Sequence, residues 1–156
     1  MTNSELATRR ADALARGVGV MTDHFVTRAL NAEVWDEDGN RLIDFAAGIA
    51  VVNTGHRHPK VIEAVTAQLG AFTHTCHQVL PYAPYVRLAE RLNEKVPGDF
   101  AKKSIFVTTG AEAVENAIKV ARAYTKRDAV IAFGGGFHGR TFMGMSLTGK
   151  VVPYKV

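Results

Sequence analysis

The sequence predicts an α/β fold, and three observations carry that expectation. Short apolar runs at Ser104–Thr108 and Ala129–Phe133 flank a helical pattern from Ala111 to about Tyr124, the strand-helix-strand order of a parallel sheet. Both runs are continuously apolar rather than alternating, as expected of strands covered on two faces. Upstream, Asp38-Gly39 lies within Glu33–Phe45 (EVWDEDGNRLIDF) and predicts a hairpin of two strands.

The remaining elements follow in order. Leu6–Ala15 reads as a weakly amphipathic helix with a glycine exit at Gly17 and Gly19. Pro59 suits the first position of a helix running to Leu69, because its missing N–H would have no partner there; Val61, Ile62, Val65 and Leu69 share one face. Pro84 opens another helix with Tyr85, Leu88, Ala89 and Leu92 as its stripe, and Pro97-Gly98 stops it. In the helix after Gly110, Val114, Ala117, Ile118 and Ala121 point inward, while Glu115 and Lys119 form an i, i+4 pair on the solvent side. Two parallel strands cannot cover both faces of a sheet with what remains after residue 133. The expectation is therefore a fragment of a larger protein, with a complete small α/β domain as the alternative.

Composition narrows the function classes. The chain has 156 residues with 47% hydrophobic content, the size of one domain. Its net charge of +4 comes from scattered residues (Arg9, Arg10, Lys102, Lys103, Lys126, Arg127), so no nucleic-acid partner is expected. A single cysteine, Cys76, fits a reducing compartment. No stretch approaches the roughly 18 apolar residues of a membrane span, and MTNSELATRRADALARG lacks the apolar segment of a signal peptide. A cytoplasmic protein without a membrane partner is expected.

Two segments carry chemistry. In VTTGAEAVENAIK (Val107–Lys119) a β-branched run breaks at Thr109-Gly110 straight into a helix. A helix start leaves N–H groups unpaired and carries partial positive charge, so it can hold a phosphate, and Gly110 allows close approach. The same residues also read as an ordinary capping box, with Thr109 as N-cap and Glu112 three residues on. The second segment, GGGFHGRT (Gly134–Thr141), matches G-x-G-x-x-G after a strand. A dinucleotide site wants an acid about 20 residues further on, and no Asp or Glu follows Asp128. The loop instead offers an aromatic ring, an imidazole and a guanidinium, suited to stacking, hydrogen bonding and gripping a carboxylate; a plain solvent loop is the other reading. His56 with His58, and His74 with Cys76 and His77, lack zinc-site spacing, so no metal is expected. His58, just before Pro59, suits helix capping or loop packing.

Five stretches then agree in register with one family. FAAGIAVVNTGHRHPKV (Phe45–Val61), HTCHQVLPYAPYVRLAERLNEKVPGDFAKK (His74–Lys103), VTTGAEAVENAIKVARAYTKR (Val107–Arg127), FHGRT (Phe137–Thr141) and LTGKVVPY (Leu147–Tyr154) resemble the N-terminal third of class III aminotransferases dependent on pyridoxal 5'-phosphate. NTGHRHPKV, HTCHQV and VPGDFAKK are similar in wording to the bacterial branch that acts on 4-aminobutyrate.

The resemblance implies the N-terminal part of a fold-type I pyridoxal-phosphate transferase. Residues 1–55 would be a helix and hairpin of the small domain, and 56–156 the incomplete start of the large cofactor-binding domain. Gly110 and Ala111 would bind the cofactor phosphate, Phe137 would stack on its ring with His138 alongside, Arg140 would pair with the substrate carboxylate, and Ile49 would line the pocket. Some positions depart from the family pattern: Ala111 stands where serine is frequent, Phe137 for a common tyrosine, His77 for phenylalanine and Pro81 for alanine. The implied reaction moves the amine of 4-aminobutyrate to 2-oxoglutarate, giving succinic semialdehyde and glutamate. Sister activities on 5-aminovalerate, ornithine or acetylornithine, decarboxylation of a dialkyl amino acid, and a non-catalytic phosphate-binding module are the alternatives. The family's Schiff-base lysine would lie beyond residue 156, since none of the eight lysines sits in a matching context. No catalytic residue is therefore expected in this chain, which should be inactive alone. The intact protein would be a homodimer.

Overall fold

The computed structural model describes residues 1–149, so the LTGKVVPY stretch from Lys150 onward lies outside the described residues. The chain divides into two compact units, Met1–Thr75 and the part from Cys76 onward.

The first unit opens with helix α1 (Asn3–Ala13), which starts ahead of the expected Leu6 because a capping box forms at its end. The Thr2 hydroxyl accepts the Glu5 N–H at 3.1 Å and the Glu5 carboxylate accepts the Thr2 N–H at 2.8 Å, satisfying two donors that a bare helix start would leave open. Three antiparallel strands follow, β1 (Val26–Leu30), β2 (Glu33–Asp36) and β3 (Arg41–Ile43), in the order β1-β2-β3. The β2–β3 hairpin is the one expected around Asp38-Gly39. Strand β1 was not expected. Asn31, at φ 51°, and Ala32 make a two-residue link that pairs Leu30 with Glu33, and asparagine tolerates that left-handed backbone. The Arg28 guanidinium lies 3.7 Å from the Trp35 ring centroid across this pair.

Asp36 ties these parts together. Its buried carboxylate accepts hydrogen bonds from the Asn3 side chain at 2.8 Å, from the Asn40 backbone and side chain at 2.8 and 3.0 Å, and from the Asp38 N–H at 3.1 Å. The His24 ring Nδ1 lies 2.7 Å away. Asn3 completes the clasp by accepting the Phe25 N–H at 2.9 Å. The unit ends with a single turn, α2 (Ala47–Ala50), and helix α3 (Pro59–Ala71) with its proline at the start.

The second unit holds α4 (Ala83–Lys95), α5 (Gly110–Thr125) and α6 (Phe142–Leu147). All the expected longer helices form. The two expected strands do not: Ser104–Thr108 and Ala129–Phe133 carry no ladder hydrogen bonds among the described residues. Ile131 and Phe133 are 89% and 82% exposed. Parallel strands stabilise one another only when neighbouring strands flank them, and among the described residues no strand lies beside these two. The stripes behave alike. Val61, Val65 and Leu69 on α3 and Leu88 and Leu92 on α4 are exposed, and Ile118 alone among the described apolar side chains is buried. An apolar groove of about 540 Å³ runs along one side of α5, between Ala113, Val120 and Tyr124 and the Lys103–Val107 segment.

The Asp36 clasp makes the first unit acid-sensitive. Burial pushes this carboxyl up, but hydrogen bonds from Asn40, His24 and Asn3 outweigh it and hold the pKa well below the ordinary value. A carboxyl depressed in the folded state contributes stability above its unfolded pKa of about 3.9 and loses it as pH falls toward the native value. Hydrogen exchange of the α1 amides in the full-length protein should therefore accelerate as pH drops below about 4, after correction for intrinsic exchange. Asp36→Asn should leave those amides fast at every pH.

Candidate functional site

The site is built on the start of α5. The Thr109 hydroxyl accepts the Glu112 N–H at 3.1 Å and the Glu112 carboxylate accepts the Thr109 N–H at 2.8 Å, the capping box that the sequence spells. This box engages the N–H groups of Thr109 and Glu112. Those of Gly110 and Ala111, between them, have no hydrogen-bond partner among the described residues. The box and an anion site are thus compatible: one fixes the helix start and the other uses the donors it leaves.

These donors border a cavity of about 680 Å³ lined by Thr109, Gly110, Ala111, Val114, Phe137, His138, Gly139, Arg140 and Thr141, within the size range of small-molecule sites. Five of the six residues singled out from the sequence, Gly110, Ala111, Phe137, His138 and Arg140, therefore meet in one place. The loop reaches the helix through Gly139, at φ 103°, where an added Cβ would lie 2.7 Å from the Ala111 side chain. Only glycine fits there. Gly134–Gly136 form a turn, with the Gly136 N–H donating to the Phe133 carbonyl, and do not border the cavity.

Two residues that sequence reading did not single out for the site hold the loop. Thr148 is fully buried; its hydroxyl accepts the His138 N–H at 3.0 Å and lies within donating distance of the Gly139 and Gly144 carbonyls at 3.2 and 2.9 Å. Glu115 does not project into solvent to pair with Lys119 as expected. Its carboxylate accepts the Met143 N–H at 3.1 Å. The Thr141 hydroxyl beside it, without a well-aligned hydrogen bond of its own, is the largest influence holding the Glu115 carboxyl below the ordinary range; the Met143 and Gly144 N–H groups add to it and burial opposes.

Ile49, the sixth residue, belongs to the first unit. It is 86% exposed and sits in α2, where Ala47, Gly48, Ile49 and Ala50 all have positive φ. For a β-branched residue this backbone is strained. Asp44 holds the turn, accepting the N–H groups of Ala46 and Ala47 at 3.0 and 2.8 Å, and its other oxygen lies 2.7 Å from His56 Nε2. The His56 contact, followed by the Ala47 N–H, keeps the Asp44 carboxyl low.

The histidines singled out as metal candidates thus have other surroundings. His56 serves Asp44. His58 occupies the N-cap position of α3, but its side chain caps nothing; its Nδ1 is buried without a hydrogen-bond partner among the described residues, so of the two expected roles capping is not realised and packing remains. His77 stacks on Tyr85 at 3.9 Å and meets Tyr82 edge-on at 5.1 Å, packing the loop before α4. No group of three or more His, Cys, Asp or Glu with metal-holding geometry occurs among the described residues.

Two glycine substitutions separate fit from function at this site. Gly139→Ala should destabilise the full-length protein by at least about 1 kcal/mol, read as a lowered thermal midpoint, because it combines a positive φ with a steric clash. Gly110→Ala should leave the midpoint unchanged, since nothing lies within 4 Å of its added Cβ, yet weaken binding of a phosphate ligand in calorimetry.

Known proteins resemble this sequence and share this fold. The profile of the family described as aminotransferase class-III matches residues 13–156. The chain is 60% identical over 153 residues to Escherichia coli 4-aminobutyrate aminotransferase GabT, covering 98% of this chain and 36% of that protein. It is 61% identical over the same length to Pseudomonas putida 5-aminovalerate aminotransferase DavT, covering 98% and 36%. Among solved structures, taurine:2-oxoglutarate aminotransferase from Bifidobacterium kashiwanohense, in complex with PLP and glutamate, superposes with a TM-score of 0.82 at 27% identity, covering 96% of this chain and 34% of that one. The chain spans about a third of the length of these relatives. Its matched residues and its fold place it in one lineage: the chain belongs to the class-III aminotransferase family, whose members depend on pyridoxal phosphate.

Proposed function

We propose that the full-length protein carrying this chain is a 4-aminobutyrate:2-oxoglutarate aminotransferase that uses pyridoxal phosphate. The observation that carries this reading is the meeting of an open helix start, an aromatic ring and a guanidinium in one cavity. The residues present suit the cofactor. Two N–H groups at the positive end of α5 lack partners among the described residues, and they border the cavity that Phe137, His138 and Arg140 also line, a cradle that an anionic ring ligand would complete.

In this reading Gly110 and Ala111 hold the cofactor phosphate through backbone donors, which needs no side-chain hydroxyl at position 111. Phe137 stacks on the pyridine ring, and His138 stands beside it. Arg140 makes no hydrogen bond or ion pair among the described residues; its planar fork matches a carboxylate and orients the substrate by two bonds. Ile49 lies along the substrate's aliphatic chain. The bound cofactor supplies an electron sink, and the protein supplies placement. The amine of 4-aminobutyrate leaves succinic semialdehyde behind and reaches 2-oxoglutarate to give glutamate, and both amino acids offer Arg140 a carboxylate.

The proton-moving lysine is placed in the part of the protein outside this chain, and this chain alone is proposed to be inactive. Residues 1–55 are assigned to the small domain and 56–156 to the start of the large one. A cytoplasmic homodimer is the proposed setting. Among the described residues no helix is long and apolar enough to cross a membrane. A second reading, 5-aminovalerate as the amine donor, is supported by the 61% identity to the Pseudomonas putida enzyme.

Steady-state kinetics on the full-length protein test both readings. With 2-oxoglutarate as acceptor, kcat/KM for 4-aminobutyrate should exceed that for 5-aminovalerate, and the reverse order would select the second reading. Arg140→Ala should lower kcat/KM for either donor by about 10- to 100-fold, the worth of a charged two-point contact, while pyridoxal phosphate stays bound. A protein that binds no cofactor and transfers no amine overturns the proposal.

A further inference from the structure

We propose that Glu115 is a positioning residue for substrate carboxylate recognition, setting the place of Arg140 relative to the start of α5. The inference rests on the reading of Arg140 as the carboxylate anchor. Arg140 itself sits in a loop, and a guanidinium on a loose loop loses affinity through the entropy of being ordered on binding. The structure shows what orders it.

Helix α6, which follows Arg140 directly, has no side-chain cap of its own: Thr141 occupies the N-cap position but makes no capping hydrogen bond. The missing acceptor comes from another helix, because the Glu115 carboxylate takes the Met143 N–H. An acidic group at a helix start also meets the positive end of the peptide dipoles. On the other side of Arg140, the Gly139 backbone rests against Ala111, and the Thr148 hydroxyl holds the His138 N–H. The segment from His138 to Met143 is therefore fastened on both sides of position 140.

The fastening points share one element with the proposed phosphate site. Ala111 and Glu115 lie one turn apart on α5, and Ala111 also contributes one of the open N–H groups of the cavity wall. The distance between the phosphate donors and the backbone that carries Arg140 is thus set along a rigid helix. Losing the Glu115 contact frees the far end of the segment while leaving Gly110 and Ala111 untouched. Carboxylate affinity and cofactor affinity should separate.

The test uses full-length holoenzyme and glutarate, a dicarboxylate with no amine to transfer. Glu115→Gln preserves the shape of the side chain but removes its charge and offers an amide donor where N–H groups point in. Calorimetry should show glutarate bound about tenfold more weakly than in wild type, the scale expected when an anchoring group is misplaced, with pyridoxal phosphate affinity within twofold of wild type. In the cofactor-free protein, hydrogen exchange at the Met143 amide should rise while the α5 amides stay protected. Kinetically, KM for both amino-acid substrates should rise more than kcat falls.

Equal loss of glutarate and cofactor affinity, with a lowered thermal midpoint, would assign Glu115 a purely structural role and overturn the proposal. Unchanged glutarate binding would do the same. If Glu115→Gln fails to fold, Glu115→Asp withdraws the carboxylate by one methylene and must show the same separation. A wild-type protein that binds neither pyridoxal phosphate nor glutarate overturns the functional reading itself, a result distinct from wild-type binding with an unaltered variant.

Discussion

The start of α5 is the constraint from which the rest of the site follows. A helix must find partners for its first N–H groups, and here the Thr109–Glu112 box satisfies the ends of that set and leaves the middle pair at Gly110 and Ala111. The helix is thereby fixed in place without consuming the donors that face the cavity. Everything else at the site is measured from this end: Gly139 packs on Ala111, and Glu115, one turn further, holds the start of α6. A side-chain hydroxyl at position 111 would add a donor to the proposed phosphate site, but the backbone donors exist whichever residue stands there.

What could be read from sequence alone divides along a physical line. Capping boxes, proline starts and glycine turns are local, so the starts of α3 and α5 and the turn at Gly39 were legible from a few adjacent residues. Features that depend on distant partners were not. Strand β1 escaped because VTRAL has little alternation and its Asn31-Ala32 link is not one of the strong hairpin pairs. Glu115 looked like half of a surface ion pair, since spacing along a helix reveals Lys119 but not the loop that returns from residue 139 onward. Thr148 gave no signal, being an isolated threonine whose three hydrogen-bonding neighbours lie four to ten residues away. Gly110 and the ring, imidazole and guanidinium of the 137–140 loop were legible as candidates from their motifs, while Ala111 and the specific role of each residue came from the resemblance to the family.

The same division explains the unpaired strands. Helices α3, α4 and α5 close their own backbone hydrogen bonds and form although most of their apolar side chains stay exposed, Ile118 on α5 being the exception. Segments 104–108 and 129–133 cannot close theirs alone, because a strand's donors and acceptors must be met by neighbours. Their β-branched, apolar composition is a demand for partners in a sheet, and the relatives this chain matches are nearly three times as long.

The proposed role of Arg140 as carboxylate anchor also bears on how such a site could tell donor lengths apart. Relatives named for 4-aminobutyrate and for 5-aminovalerate are 60% and 61% identical to this chain, so overall similarity does not choose between donors one methylene apart. A methylene in an apolar pocket is worth about 1–3 kcal/mol when the pocket cannot adapt. With a mobile guanidinium the anchor would follow the longer chain and that difference would shrink. With the backbone around position 140 fastened by Glu115, Thr148 and the Gly139–Ala111 contact, the proposed carboxylate anchor keeps its place, and an added methylene would displace either the amine or the chain itself. In this proposal, fixing the backbone that carries the anchor is what turns substrate length into a difference in rate.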